Sequence, residues 1–540
     1  MINQKYGVVY TPNSLADFVA GLLCRFFDSS LTYNPTFLDP ACGECALLSS
    51  IRNKYGKNAR LIGIDVDKEA INNSNDRFEL IHNDAILPIK TKGLADQYWL
   101  KKLSHVDAII ANPPWSSEKI YDKDTLINSG YTLVDGQYDS YVLFIELAYK
   151  LLSPGGVMGF IIPDSLFDSQ NEKLRKFLAS KMQILVIARL GEKIFEDVNR
   201  ATTVIICRKE SPKDNSITEC FRLSTDDRKL YLAGKGTLDY FYNKNKHVVN
   251  QSRFLKNNAC HFDIDTRIEE EELIKKIMTD SISWTNTFNF GRGVEISKRG
   301  DIVFCPICGQ AQGYSKKHLQ SGKKTCVYCS SSIIVSSDTV DHAIDDVPSV
   351  DSRAIYVGEN IQRYCITGNC YIKLGINGIN YKDNELYESP KLLVRKTGLG
   401  IYAAIDYSGS LTSQTVYILK YPEISNIPLE YYLALINSRV IYYFYLKMYG
   451  ENEWKSHPYL TKQIIFSLPI KPYSGNKLDK DIVQLACSLQ NKYDYETDIM
   501  LEHLIMKKYG LTRQERNFIV AEMNRLPDLS AINNMKMENK

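Results

Sequence analysis

No apolar run in this chain reaches the roughly 20 residues a membrane-spanning helix needs, so an integral helical membrane protein is excluded. The polar first residues carry no secretory pattern, and the expected compartment is therefore the cytoplasm. Charge of one sign is also lacking, since 66 Lys and Arg against 63 Asp and Glu leave only +3. That total neither demands nor excludes a nucleic-acid partner, because a local basic cleft can focus the field of a nearly neutral protein. Thirteen cysteines in a chain without secretory features read as thiols and metal ligands rather than as a disulfide framework. What is present is ordinary for a globular protein, with 44% hydrophobic and 24% charged residues. A length of 540 residues exceeds what one core can organise and predicts two or three domains.

Short apolar strands alternate with amphipathic stretches from about residue 14 to 210, the pattern of a parallel α/β sheet. Thr36 to Leu38 leads into Asp39-Pro40-Ala41-Cys42-Gly43-Glu44-Cys45 and then a helical Ala46 to Tyr55. Leu61 to Ile64 ends at Asp65, at the offset from the glycine loop where a carboxylate accepts from a ribose diol. Taken singly, the loop reads equally as a plain turn and Asp65 as a solvated strand end. Phe78 to Ile81 predicts a third strand ending at Asp84-Ala85. Val106 to Ala111 predicts a fourth, running into Asn112-Pro113-Pro114-Trp115. In a doubly wound sheet the first and fourth strands lie side by side, which would bring the Asp39–Gly43 loop to Asn112.

The residue types at 112–115 suit the holding of a planar amino group. Asn112 offers a side-chain carbonyl, and Pro113 a backbone carbonyl without an N–H of its own. Each proline keeps its predecessor extended and so stiffens the loop. Trp115 supplies a flat face for an unpaired base. The plain alternative is a strand ending in a Pro-Pro turn beside a core tryptophan.

Tyr10-Thr11-Pro12, Asp39-Pro40-Ala41-Cys42-Gly43, Asp65, Asp84 and Asn112-Pro113-Pro114-Trp115 follow one another in an order that resembles a known family. It is the gamma group, or Taq-type, of S-adenosylmethionine-dependent DNA N6-adenine methyltransferases of restriction-modification systems. Tyr138 to Gly156 and Gly159 to Pro163 resemble the helix and strand after the catalytic loop. The resemblance implies that S-adenosylmethionine is held by Tyr10, Thr11, Pro12, Asp39, Pro40, Ala41, Gly43, Asp65, Val66, Asp84, Ala85, Asn112 and Phe144. It implies catalysis by Asn112, Pro113, Pro114 and Trp115 on a flipped adenine, with Phe195 as a second aromatic beside the base. For Phe195 and Phe144, core packing is the alternative.

Acceptors at Asn112 and Pro113 would hold both amino hydrogens and free the nitrogen lone pair for attack on an activated methyl, so positioning supplies much of the rate. There is no Pro-Cys motif of the kind that covalent cytosine-C5 methylation requires. One departure stands at Cys45, where family members often carry a second glycine. Cys42 and Cys45 also form a C-x-x-C, for which a redox or metal role is the alternative.

Cys305-x-x-Cys308 and Cys326-x-x-Cys329 are separated by seventeen residues, a spacing suited to a closed, structural four-thiolate Zn2+ site. Between them lie Lys316, Lys317, His318, Lys323 and Lys324 with no acid to balance them. The four lysines are candidates for phosphate contact, the plain alternative being a solvated face. Gly358 to Tyr364, Lys391 to Gly398, Ala404 to Lys420 and Leu433 to Tyr443 resemble target-recognition segments of the same family, with the ribbon as an insertion.

The expected fold is α/β: a Rossmann-like doubly wound methyltransferase sheet plus a mixed α/β target-recognition domain with an inserted zinc ribbon. The expected division is a catalytic domain over 1–210, a polar connection over 211–264, a recognition domain over 265–475 with the ribbon at 302–331, and helices over 476–540. The implied partner is double-stranded DNA, with a separate cognate restriction endonuclease as companion, no membrane, and a monomer or weak dimer. Catalytic motifs starting almost at Met1 argue against a fused N-terminal nuclease. Two other readings compete: an RNA or protein-glutamine methyltransferase, against which the large downstream reader argues, and a degenerate DNA-binding subunit, against which Asn112, Pro113, Asp65 and Asp84 argue.

Overall fold

The computed structural model describes residues 11–30, 32–56, 58–72, 78–88, 93–115, 121–134, 139–195, 200–423, 425–450 and 459–537. Among them no helix is long and apolar enough to cross a membrane. The chain divides into two compact units, Met1–Glu271 with Lys447–Ser456, and Glu272–Leu446 with His457–Lys540.

The first unit is built on nine strands: β1 (Thr36–Asp39), β2 (Arg60–Asp65), β3 (Glu79–His82), β4 (Val106–Ala111), β5 (Leu152–Pro163), β6 (Gln183–Gly191), β7 (Thr202–Arg208), β8 (Ile217–Arg222) and β9 (His247–Asn250). Their order is β3-β2-β1-β4-β5-β7-β6-β8-β9. The run from β3 to β5 is parallel, and β7 pairs antiparallel with both β5 and β6. Successive strand residues feed opposite faces. Leu38, Ile109 and Ala111 belong to one core with Trp99, Leu143 and Leu178, whereas Phe37, Ala108 and Ile110 belong to another with Val19, Leu48 and Phe241. Helices Ala95–Leu103, Tyr141–Leu151 and Glu172–Lys181 contribute to the first core. Helices α1 (Asn13–Phe26) and α2 (Ala46–Tyr55), with Leu238–Asn245, contribute to the second. The result is a three-layer α/β/α unit whose winding reverses between β1 and β4.

Two features differ from the sequence reading. The third strand runs one residue later than Phe78 to Ile81, as its pairing with β2 places Glu79 opposite Ile62 and His82 opposite Asp65. The stretch 211–264, read as a connection, extends the sheet: β8 pairs parallel with β6 and β9 antiparallel with β8. Its polar residues conceal this because β9 is a sheet edge, where only part of a strand need be apolar.

The second unit holds an antiparallel sheet in the order Asn289–Arg292, Val416–Lys420, Lys391–Arg395, Ala403–Asp406. A second sheet runs Ile344–Asp345, Cys370–Lys373, Ser352–Tyr356, Leu411–Thr412. Three C-terminal helices follow, Lys477–Asn491, Tyr495–Lys508 and Arg513–Asn524. They are tied into this unit by Asp498, which is fully buried and takes Arg363 at 2.5 Å and Arg439 at 2.9 Å. Removing one partner of such a pair strands a buried charge, at a cost of about 3–5 kcal/mol.

Candidate active site and thiolate cluster

The reversal between β1 and β4 opens a crevice at their carboxyl ends, with Phe37 opposite Ala108 and Leu38 opposite Ile109. A cavity of about 550 Å³ lies there, within the size range of small-ligand pockets. It is lined by Thr11, Asp39, Pro40, Ala41, Gly43, Asp65, Val66, Asp84, Ala85, Asn112, Pro114 and Phe144 among the residues singled out from the sequence. Pro12, Pro113, Trp115 and Phe195 are not among its lining residues, and Tyr10 lies outside the described residues.

The loop after β1 is held from both ends. Asp39 accepts from Ala41 N at 3.0 Å, Cys42 N donates to the Ile64 carbonyl at 3.0 Å, and Gly43 N donates to Asp65 Oδ2 at 2.7 Å. Asp65 Oδ1 accepts from Asp67 N at 2.8 Å, so the carboxylate at the end of β2 is fixed by two backbone amides. Each of its oxygens has a further lone pair for a ligand hydroxyl. Burial raises the Asp65 carboxyl, against the opposing pull of the Asp67 and Gly43 amides, and burial holds that of Asp39 well above the usual carboxylate range. The departure at Cys45 has a structural answer. Its φ is +64°, so this side-chain-bearing residue adopts the left-handed conformation a glycine would take, at a strain of about 1–2 kcal/mol. It sits at the start of α2 and is 1% exposed, so packing of the side chain offsets that strain.

Four acidic side chains line the cavity, of which Glu44, Asp65 and Asp84 join the buried Asp39, and no Lys, Arg or His does among the described residues. An enclosed site of that make-up favours a cationic ligand that also carries hydroxyl and amino donors. Asp84 Oδ1 accepts from Ile86 N at 2.8 Å and from Tyr121 Oη at 3.2 Å, which aims the carboxylate.

At the end of β4, Asn112 Nδ2 donates to Thr11 Oγ1 at 3.0 Å, which sets Oδ1 as the acceptor end of the amide. Pro12 begins α1, its carbonyl accepting from Leu15 N at 3.0 Å and Ala16 N at 2.9 Å. Pro113 is buried, and the Pro114 carbonyl accepts from the Ser140 hydroxyl. Trp115 meets Phe195 edge-on, with centroids 5.4 Å apart and planes at 88°. Phe195 is 2% exposed and belongs to the core.

Ser140, Asp139 and Arg200, like Tyr121, escaped the sequence reading. Ser140 precedes helix Tyr141–Leu151 but its side chain caps no amide there. Asp139 accepts from Arg200 Nη2 at 2.8 Å and from Ser165 Oγ at 2.8 Å. Arg200 Nη1 also donates to the Trp115 carbonyl at 3.0 Å. A short polar pair before an apolar helix was the available signal for Asp139 and Ser140. Nothing local marks Arg200.

In the second unit, Cys305, Cys308, Cys326 and Cys329 bring their sulfurs within 4.8 Å of one another. The Cys305–Cys329 and Cys308–Cys326 sulfurs are 3.6 and 3.7 Å apart. A disulfide would need about 2 Å, whereas the edge of a thiolate tetrahedron around Zn2+, with bonds of about 2.3 Å, is about 3.8 Å. Cys326 also accepts from Gln312 Nε2 at 3.2 Å. Val303, Ile333 and Val335 complete a small core behind the sulfurs. Lys316 and Lys317 lie on helix Lys316–Ser321, and Lys323 and Lys324 on strand Lys323–Thr325, all at the surface or partly so.

Two parts of the chain match known families. Residues 42–195 match the family described as Eco57I restriction-modification methylase, and residues 353–470 match the TaqI-like C-terminal specificity domain. The Type II methyltransferase M.BanIII of Aneurinibacillus aneurinilyticus is 35% identical over 213 residues, covering 36% of this chain and 37% of the relative. The Type II methyltransferase M.VspI of Vibrio sp. (strain 343) is 30% identical over 226 residues, covering 40% and 51%. The chain thus spans between about a third and a half of these relatives' lengths. A nuclease-deletion mutant of the Type ISP restriction-modification enzyme LlaGI, solved in complex with a DNA substrate mimic, aligns at 15% identity. It covers 91% of this chain and 55% of that one at a TM-score of 0.49. The chain therefore carries an Eco57I-type restriction-modification methylase domain followed by a TaqI-like C-terminal specificity domain.

Proposed function

We propose that this protein methylates N6 of a flipped-out adenine at a specific site in duplex DNA, using S-adenosylmethionine. The observation that carries the reading is the meeting of Asn112 with the carboxylate-lined loop of β1 and β2 in one cavity. When bound, S-adenosylmethionine supplies an activated methyl group on a cationic sulfur. Asp65 would accept from its ribose hydroxyls, and Asp84, Val66, Ala85 and Phe144 would hold its adenine. Thr11, Asp39, Pro40, Ala41 and Gly43 would surround the methionine end, with Tyr10 and Pro12 assigned there by resemblance alone. Asn112 Oδ1 and the Pro113 carbonyl accept the two amino hydrogens of the target, which localises the nitrogen lone pair for attack. Pro114 stiffens the loop, Trp115 stacks on the extruded base, and Phe195 backs the tryptophan.

In the same reading the first unit, which takes in β8 and β9 beyond 1–210, is the methyltransferase domain, and the second unit carries the target-recognition domain. Cys305, Cys308, Cys326 and Cys329 hold a structural Zn2+ with no open position, and Lys316, Lys317, Lys323 and Lys324 contact phosphates. A separate restriction endonuclease would share the recognition site.

The test is transfer of labelled methyl from S-adenosylmethionine to AT-rich duplex DNA, with the digested nucleosides identified by mass. N6-methyladenine from wild type, reduced about 100- to 1000-fold in Asn112→Ala, is the expected result. Label appearing in RNA or protein and not in DNA would overturn it, and so would no transfer at all from folded protein.

A further inference from the structure

The two carbonyls that end the Asn112–Trp115 loop are both taken by side chains from outside it. Ser140 donates to the carbonyl of Pro114, and Arg200 Nη1 donates to that of Trp115 at 3.0 Å. The two donors converge on one point. Arg200 Nη2 also reaches Asp139 Oδ2 at 2.8 Å, and Asp139 is the residue before Ser140. Ser165, beyond the end of β5, donates to the same Asp139 oxygen at 2.8 Å. Asp139 is 3% exposed at its side chain and Arg200 38%, so a buried anion fixes a guanidinium that is partly open to solvent. The planar fork of Arg200 is what allows one side chain to span a carboxylate and a carbonyl together.

From this network we infer that Arg200, anchored on Asp139, is a positioning residue for the target base. It holds the backbone of Trp115, while Ser140 holds the residue before it, so the indole and the acceptors of Asn112 and Pro113 keep one mutual orientation. Ser140 and Pro114 line the cofactor cavity together with Thr11 and Asn112, whose side chains are also tied to each other, whereas Arg200 and Trp115 are not among its lining residues. Lysine at position 200 could reach either the carboxylate or the carbonyl but could not span both as the fork does. This inference rests on the methyltransferase reading of the site.

The test combines a structural reporter that needs no substrate with a kinetic one. Protein labelled with 5-fluorotryptophan gives signals from Trp99, Trp115, Trp284 and Trp454, and Trp115→Phe assigns the relevant resonance. In Arg200→Ala the Trp115 resonance should shift or broaden while the other three stay, showing that the fold is kept. Single-turnover methyl transfer to DNA should fall about 10- to 100-fold, the scale of a misplacement of about 1 Å, with S-adenosylmethionine affinity unchanged. Arg200→Lys should recover part of that rate, and Ser140→Ala should move the same resonance. An unmoved Trp115 resonance, an undiminished transfer rate, or a loss explained by weaker cofactor binding would each overturn the inference. Wild-type protein that methylates no DNA would instead bring down the reading of the site. The two failures are separable because the fluorine signal reports the brace without DNA.

Discussion

Single atoms in this protein carry distinct loads. Asp65 has both oxygens engaged by backbone amides, so it shapes the β1 loop as well as offering lone pairs to a ligand. Asp65→Asn replaces one acceptor oxygen by a donor facing an N–H. Loss of charge-assisted bonds worth about 1.5–3 kcal/mol should weaken S-adenosylmethionine binding about 10- to 100-fold, as read by calorimetry. His261 offers a pH prediction. Burial, helped by the nearby Arg175 charge, lowers its imidazole from 6.5 to about 3, while its Nε2 bonds the Met448 carbonyl at 2.7 Å. Below pH 6.5 the unfolded chain therefore takes up a proton that the folded chain refuses, and stability falls as pH drops toward 3. Asp263 works in the opposite sense: burial pushes its carboxyl from 3.8 up to about 6, so its contribution falls as pH rises through that window. The difference between wild type and His261→Gln isolates the histidine. Between pH 6 and 4 the variant should lack a slope of about 1.4 kcal/mol per pH unit in denaturant titrations of the first transition.

Among the elements, the segment around Cys305–Cys329 would, in the zinc reading, depend on the metal as well as on its apolar contacts. Its core is only Val303, Cys305, Cys326, Ile333 and Val335 with a few partly buried neighbours, too little to hold short strands against chain entropy. Metal analysis should find one zinc per chain. Cys326→Ser, or a strong chelator, should remove it and abolish hydrogen-exchange protection across 302–335 while leaving the first unit's protection intact. Retained zinc in the variant, or retained protection without zinc, would contradict the assignment. The ribbon was legible because four cysteines at fixed spacing need few partners elsewhere in sequence. β8 and β9 were not legible, since Ile217 to Arg222 and His247 to Asn250 become strands only through pairing with β6 and with each other. Edge and near-edge strands need no continuous apolar run, so periodicity is silent there.

For the whole molecule, a net charge of +3 means that any grip on a polyanion must come from local concentrations of charge. The exposed lysines of the ribbon are such a concentration. Changing Lys316, Lys317, Lys323 and Lys324 together to Ala should flatten the dependence of log affinity on log salt for duplex DNA. Each lost phosphate contact lowers the slope by about 0.9. Methyl transfer at saturating DNA should be unchanged, because these residues belong to the second unit and the cavity to the first. An unaltered salt slope would make the lysines a solvated face.

The chain by itself determined the residue types of the site, the order of its strands along the sequence and the thiolate set of the ribbon. Those signals are local: a glycine loop, a carboxylate at a strand end, a Pro-Pro turn and two cysteine knuckles each follow from backbone geometry or ligand chemistry within a few residues. The adjacency of β1 and β4 is already expected from the doubly wound pattern, and tertiary structure decided the register and the cavity that their loops share. It also decided that Cys45 could take a glycine's conformation, and that Arg200 would reach back across 85 residues to the Trp115 carbonyl. Such long-range bonds are set by packing of the sheet and its helices, and a side chain's reach in space leaves no trace in the spacing of the sequence.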